Sequence, residues 1–254
     1  MAEQELRIRF EDLDFIVVDK PAGMHTAPLR AGETGTLVDL VIRRYPEVAA
    51  LPGIKPVEPG LVHRLDRDTS GLVVIARTVE AFNALRGSFA SGGVRKHYIA
   101  ACACLVDGMD TGTPLRIESR FAPYGRGRRM VRPVLAGEKS RRLLESASTE
   151  TYITEAQVTA GAGGTSGGNV GGKVMLAASI MRGFRHQVRA HLAFLGFPIL
   201  GDPLYGAAVP EGVVARMYLH AVRISMSHPT TGLPLEVEAP LPAEFDGLFR
   251  SMAW

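Results

Sequence analysis

Residues 61–76 read LVHRLDRDTSGLVVIA. The second half of this stretch decides the kind of fold. Leu72–Ala76 is a short, fully apolar run entered through the turn residues Thr69–Ser70–Gly71, the pattern of a buried strand. Downstream, Thr78 can cap a helix whose Phe82, Leu85 and Phe89 share one face and which Gly92 and Gly93 stop. Upstream, LPGIKPVEPG (51–60) is a proline-rich loop, and Thr36–Tyr45 carries helical spacing closed by Pro46. Further out the chain is mostly strands: Arg7–Phe10 and Phe15–Asp19 around a Glu11–Asp14 turn, Arg95–Leu105, Thr151–Thr159, Val174–Ser179, Tyr218–Met226 and Leu235–Glu238. His186–Leu195 is expected to be a helix with Val188, Leu192 and Leu195 inward, ending at Gly196 and Pro198. Strands outnumber helices and do not alternate strictly with them. The expected class is therefore α+β, with helices packed on a mostly antiparallel sheet.

The 254 residues are 46% hydrophobic and 22% charged, which gives ample material for a core and argues against global disorder. The opening MAEQELRIRFEDLDF holds no apolar segment of a secretory signal, and no run approaches the ~18 apolar residues of a membrane span. Cys102 and Cys104, two apart in an apolar run, are expected as reduced, buried thiols rather than a bridge or a zinc site. These features exclude a secreted, membrane-inserted or disulfide-stapled protein and place it in the cytoplasm.

The net charge of +3 conceals a segregation. Between Leu115 and Arg142, nine arginines and lysines face two acids, while the rest of the chain is mildly acidic. Arginine forks bond two phosphate oxygens at once, so this stretch, including Arg126, Arg128 and Arg129 and taken as a loop, points to a polyanionic partner. It lacks the regular aromatic interleaving of a base-stacking strip. Gly161–Gly172 (GAGGTSGGNVGG) has seven glycines in twelve residues but neither the lysine nor the helix of a P-loop, and is expected to be a flexible hairpin loop.

Two segments could carry chemistry. Asp66 and Asp68, flanked by Arg64 and Arg67 at the lip of the buried strand, suit a carboxylate kept ionised by cations and acting as a nucleophile. They equally suit turn and capping residues, or a glycosidase-like pair, since residues i and i+2 of an extended segment face one side roughly 6.5–7 Å apart. In MRGFRHQVRAHLAFLGFPILGDPLYG (181–206), Arg185 and Arg189 at i, i+4 would share a helical face with His186 nearby. His186 and His191, five apart with no glutamate between, have poor spacing for a metal.

GLVHRLDRDTSGL (60–72) resembles the signature loop of the RluA-type pseudouridine synthases. VVDKPAGM (17–24), GVRKHYIA (93–100), RHQVRAHLAFLGFPILGDPLYG (185–206) and LHAVRISMSHPTTGLPLEVEAPLP (219–242) are similar to the family's other blocks, in order, over nearly the whole chain. The resemblance implies isomerisation of uridine in RNA to pseudouridine, with no metal or organic cofactor. It places the catalytic aspartate at Asp66, the active-site tyrosine at Tyr98 and the aspartate-pairing arginine at Arg189. Arg64 falls on a residue that fills the space left by a flipped nucleotide, with His63, Arg185, Arg126, Arg128 and Arg129 as further substrate-binding candidates. Asp68 is not expected to be essential.

Where the family has G-R-(T/S)-H-Q, this chain has Gly183–Phe184–Arg185–His186–Gln187, so Phe184 stands in the usual arginine position and could face the pocket. The chain is expected to form one catalytic domain over 1–254 without a separate N-terminal RNA-binding domain. It is expected to act as a monomer on a stem-loop of ribosomal or, less favoured, transfer RNA. A catalytically inactive RNA-binding protein on the same fold is the non-enzymatic alternative.

Overall fold

The computed structural model describes residues 5–30, 32–106, 110–162 and 172–250. In chain order the elements are β1 (Ile8–Glu11), β2 (Phe15–Lys20), α1 (Leu37–Arg44), β3 (Ser70–Ala76), α2 (Val79–Ser91), β4 (Arg95–Ala103), β5 (Pro114–Tyr124) and β6 (Met130–Val134). They continue with α3 (Arg141–Ser146), β7 (Tyr152–Ala162), β8 (Lys173–Ile180), α4 (Gln187–Phe194), β9 (Leu219–Ser227), β10 (Pro234–Glu238) and α5 (Ala243–Arg250). The class is α+β, and most strand pairs are antiparallel, as the sequence leads one to expect. The chain divides into two compact units: the part up to Lys96 with His220–Pro240, and His97–Leu219 with the segment from Leu241 onward.

In the first unit, β2 runs antiparallel to β1 and to β3, the latter in register from Phe15↔Ala76 to Lys20↔Gly71. β9 joins β3 in parallel at Ser70↔His220 and Gly71↔Ala221, and β10 continues antiparallel to β9. β2 and β3 are buried along their whole length, which is why they read as unbroken apolar runs. Thr78 caps α2 by accepting from the Ala81 N–H, and Gly92 ends it in the left-handed region. That helix lays Phe82, Leu85 and Phe89 on Leu72, Val74, Ile224 and Val237. Each such side chain contributes about 1.5–3 kcal/mol by leaving water. Gly71 sits at φ +112°, and a Cβ there would come within 2.2 Å of the Ala221 carbonyl oxygen, so the β3–β9 seam admits only glycine.

In the second unit the strand order is β4-β8-β7-β5-β6. The basic stretch, expected as a loop, is instead β5, a tight turn at Arg126–Arg128, β6 and the short α3, with Phe121↔Pro133 and Tyr124↔Met130 paired. Arginines at the solvent positions of β5 and β6 masked the alternation that buries Ile117, Ser119 and Phe121. β7 and β8 pair antiparallel up to Ala162↔Lys173. Most of the glycine-rich segment between them lies outside the described residues. α4 is not a surface helix: Gln187–Leu192 are all buried, while Leu195 caps its end half-buried rather than inward. Cys102 and Cys104 are buried free thiols.

Candidate active site

In the first unit the candidate nucleophile Asp66 is half-buried on the irregular segment that enters β3, where its carbonyl accepts the Thr69 N–H at 3.2 Å. The backbone is pinned on both sides of it. Leu65 donates its N–H to Thr26 Oγ1 and accepts the same hydroxyl through its carbonyl, at 3.3 and 2.8 Å. The Arg67 carbonyl accepts the Gly23 N–H at 2.9 Å and the Lys20 ammonium at 3.0 Å. Lys20 has no exposed surface, and it also donates to the carbonyls of Pro21 and Met24 at 3.0 and 2.9 Å. Such a set of acceptors offsets the cost of burying the ammonium. Here it ties the VVDKPAGM block to the loop at Asp66.

The neighbours of Asp66 have separate duties. His63 accepts the Val74 N–H through Nε2 at 3.0 Å and stacks on Phe89 with ring centroids 4.5 Å apart. Burial, and then the nearby Lys96 charge, push its pKa down to about 3, so it is a neutral acceptor. Arg64 donates to Glu58 Oε1 at 2.6 Å, and the second oxygen of that buried carboxylate is enclosed without a partner. Among the described residues Asp68 pairs with Arg67, at 3.7 Å and half in solvent, a contact of little energetic weight.

In the second unit Tyr98 is buried on β4 at 6% exposure. Arg189 forms a bidentate pair with Asp202, Nε to Oδ2 at 2.7 Å and Nη2 to Oδ1 at 2.8 Å, both residues buried. Asp202 also accepts the Leu204 and Tyr205 N–H groups at 2.9 and 3.1 Å. Burial alone would raise its carboxyl, but the Arg189 guanidinium and the two N–H groups outweigh it, and the pKa lies below the ordinary value.

The shared helical face for Arg185 and Arg189 does not form. His186, at φ 57°, sits in the left-handed region before α4 and breaks the periodicity, so Arg185 lies outside the helix. Arg185 turns instead to the carbonyls of Arg128 and Met130, at 2.9 and 3.3 Å. That gathers four candidates, Arg126, Arg128, Arg129 and Arg185, all exposed, at the tip of the β5–β6 hairpin. Gly125, Gly127 and Arg128 all have positive φ there. Phe184 does not face a pocket either: it stacks on Phe121 at 5.0 Å and 5° and packs against Tyr152. Both ring nitrogens of His191 meet hydroxyls, of Ser119 and Thr154, at 2.8 and 2.7 Å, and burial lowers its pKa to about 4. Among the described residues Asp12, Asp14 and His228 have metal-like proximity, but Asp12 bonds His228 at 2.6 Å and Asp14 accepts Thr230, so internal bonds already occupy them.

The sequence profile of the RNA pseudouridylate synthase family matches residues 14–194, which include Asp66, Tyr98 and Arg189. The chain belongs to that family. This pseudouridine synthase is 31% identical over 97% of its length to the ribosomal large subunit pseudouridine synthase D of Xanthomonas campestris, 69% of which it spans. It is 30% identical over 95% of its length to the protein of the same name from Pseudomonas aeruginosa, spanning 70% of it. The synthase shares its fold with the human RNA pseudouridylate synthase domain containing 1, at TM-score 0.66 and 22% identity over 98% of the chain and 94% of that structure. No helix among its described residues is long and apolar enough to cross a membrane.

Three residues of the synthase were not singled out by sequence reasoning. Lys20 and Glu58 act across 47 and 6 residues on Arg67 and Arg64. Asp202 has a local sign, since an aspartate before proline readily accepts N–H groups two and three residues on. Its pairing with Arg189 has none.

Proposed function

We propose that the chain isomerises specific uridines in structured RNA, ribosomal before transfer RNA, with Asp66 as nucleophile on a flipped-out nucleotide. The observation that carries the reading is the half-buried Asp66 carboxylate, on a loop whose backbone is fixed on both sides by Thr26, Gly23 and Lys20. Fixed geometry turns an encounter into a near-attack arrangement, which is where such a site gains most of its rate.

Asp66 adds either to carbon 6 of the uracil or to carbon 1′ of the ribose. On both routes the N1–C1′ bond breaks with its electron pair kept by the uracil, the uracil turns, and carbon 5 bonds to C1′; the carbon 5 hydrogen leaves as a proton, N1 takes up a proton, and the aspartate is released. Tyr98 stacks on the extruded base and its hydroxyl takes part in that proton transfer. Arg189, its plane set by Asp202, keeps Asp66 ionised. Arg64 fills the vacated stack, with His63 supporting the loop. Arg126, Arg128, Arg129 and Arg185 bind phosphates on a stem-loop. The reaction needs neither a metal nor an organic cofactor, and the protein acts as a cytoplasmic monomer. The relatives named for the large ribosomal subunit favour ribosomal RNA.

The test uses RNA with tritium at carbon 5 of uridine, because rejoining at that atom forces the label into water. Unmodified ribosomal RNA should release tritium without added cofactor, and Asp66→Asn should cut the rate on the order of 10³-fold or more. Full activity of Asp66→Asn would refute the assignment. Binding without release from either RNA class would favour the inactive RNA-binding reading.

A further inference from the structure

Lys96, on β4, is a buried cation that the reaction above leaves unused. Only 5% of its surface is exposed. Its one described contact is with the Phe89 ring, 5.3 Å from Nζ to the centroid. No carboxylate or carbonyl among the described residues meets the ammonium. The Lys96 charge acts on His63, which is neutral and stacked on the same Phe89 ring. A ring face offers far less than the hydration an ammonium gives up on burial.

Lys20 shows the contrast within the same unit: its equally buried ammonium has three carbonyl acceptors. The Lys96 side chain nevertheless keeps 5% of its surface in contact with solvent. Burial has drawn its pKa down to about 8, which still leaves it mostly charged near neutral pH. A desolvated cation with no anionic or carbonyl partner among the described residues is a half-built anion site. It lies at the catalytic loop, because His63 belongs to the segment that reaches Asp66 three residues later.

We propose that Lys96 binds a phosphodiester of the RNA backbone beside the uridine being converted. The inference rests on RNA as substrate, and it names an anchor distinct from the hairpin arginines. Lys96 donates one or more N–H bonds to a phosphate oxygen in the complex. The cost of keeping the charge buried and unpaired is then recovered only in the complex.

This predicts an unusual pairing of effects for Lys96→Met in the full-length protein. Removing an uncompensated buried charge should leave the melting temperature unchanged or higher. In an Asp66→Asn background, so that no turnover intervenes, affinity for unmodified large-subunit ribosomal RNA should weaken roughly tenfold or more. The slope of log K against log salt should become shallower by roughly 0.7–0.9, one phosphate contact. Lys96→Arg should retain most of the affinity and the slope.

Unchanged affinity and slope in Lys96→Met would overturn the proposal. So would a melting temperature lowered by several degrees, which would mark a structural lysine. If inorganic phosphate stabilises the protein through Lys96 while RNA affinity ignores the substitution, the site takes free phosphate and the proposal fails. No RNA binding by the Asp66→Asn protein would overturn the underlying reading and this one together.

Discussion

Two short irregular segments carry most of the candidate site, and they are built differently. Between Leu61 and Ser70 the backbone is held by the Thr26 hydroxyl, the Gly23 N–H and the Lys20 ammonium, and His63 returns a bond to β3. Between Gly125 and Met130 the chain is exposed, with Arg128 strained at φ 55° and the turn tied down chiefly by one guanidinium, Arg185, on two carbonyls. Among the described residues Arg126, Arg128 and Arg129 have no carboxylate partner. The difference suits the roles proposed above. A nucleophile at Asp66 would have to be held to a fraction of an ångström, and its loop is anchored through buried bonds. Phosphate contacts tolerate distance and angle, so charges on an exposed tip would suffice.

The sharpest break of that contrast is on the rigid side. Asp202→Ala removes the bidentate partner of the buried Arg189 and the acceptor of two N–H groups, and denaturant unfolding should show a loss of about 3–5 kcal/mol. Next, Lys20→Met removes the donor from three buried carbonyls. It should cost at least roughly 10²-fold in kcat with KM little changed, read by tritium release under saturating RNA. On the exposed side, Arg126→Gln, Arg128→Gln and Arg129→Gln together should leave unfolding unchanged. They should weaken RNA binding and flatten the salt slope by roughly 2–3 units. If that triple variant lowered kcat as severely as Lys20→Met, the two segments would not be separable in this way. Smallest of all, Asp68→Asn should change activity less than about twofold, because its ion pair with Arg67 is exposed and long, at 3.7 Å.

What the sequence made legible was local. The apolar run at Leu72–Ala76, the Thr78 cap and the Phe82, Leu85, Phe89 stripe are each specified within a few residues, and all stand in the structure. The β5–β6 hairpin went unread because outward arginines hid the alternation, and the hydrophobic signal was left to Ile117, Phe121 and Val131. Extrapolating helical spacing back to Arg185 failed for a single backbone reason, the left-handed turn at His186. Phe184 drew attention as a departure from the family pattern, yet its ring belongs to the Phe121–Tyr152 cluster. The residues that hold the site, Lys20 above all, reach it across tens of positions, where no period or spacing rule operates.

The first unit takes β9 and β10 from the far end of the chain, and with them Ile224, Met226, Val237 and Ala239 of its core. During synthesis, then, the segment that carries Asp66 emerges long before the strands that complete its support. At ribosomal rates of ~5–20 residues per second, residues 97–219 keep that half-made core waiting on the order of ten seconds. Until then β3 lacks its partner at Ser70 and Gly71, an open edge of the kind that invites pairing with the wrong strand. Closing so long a loop also slows folding more than it weakens the finished fold. Truncation before Leu219 should therefore yield aggregates rather than a smaller working enzyme.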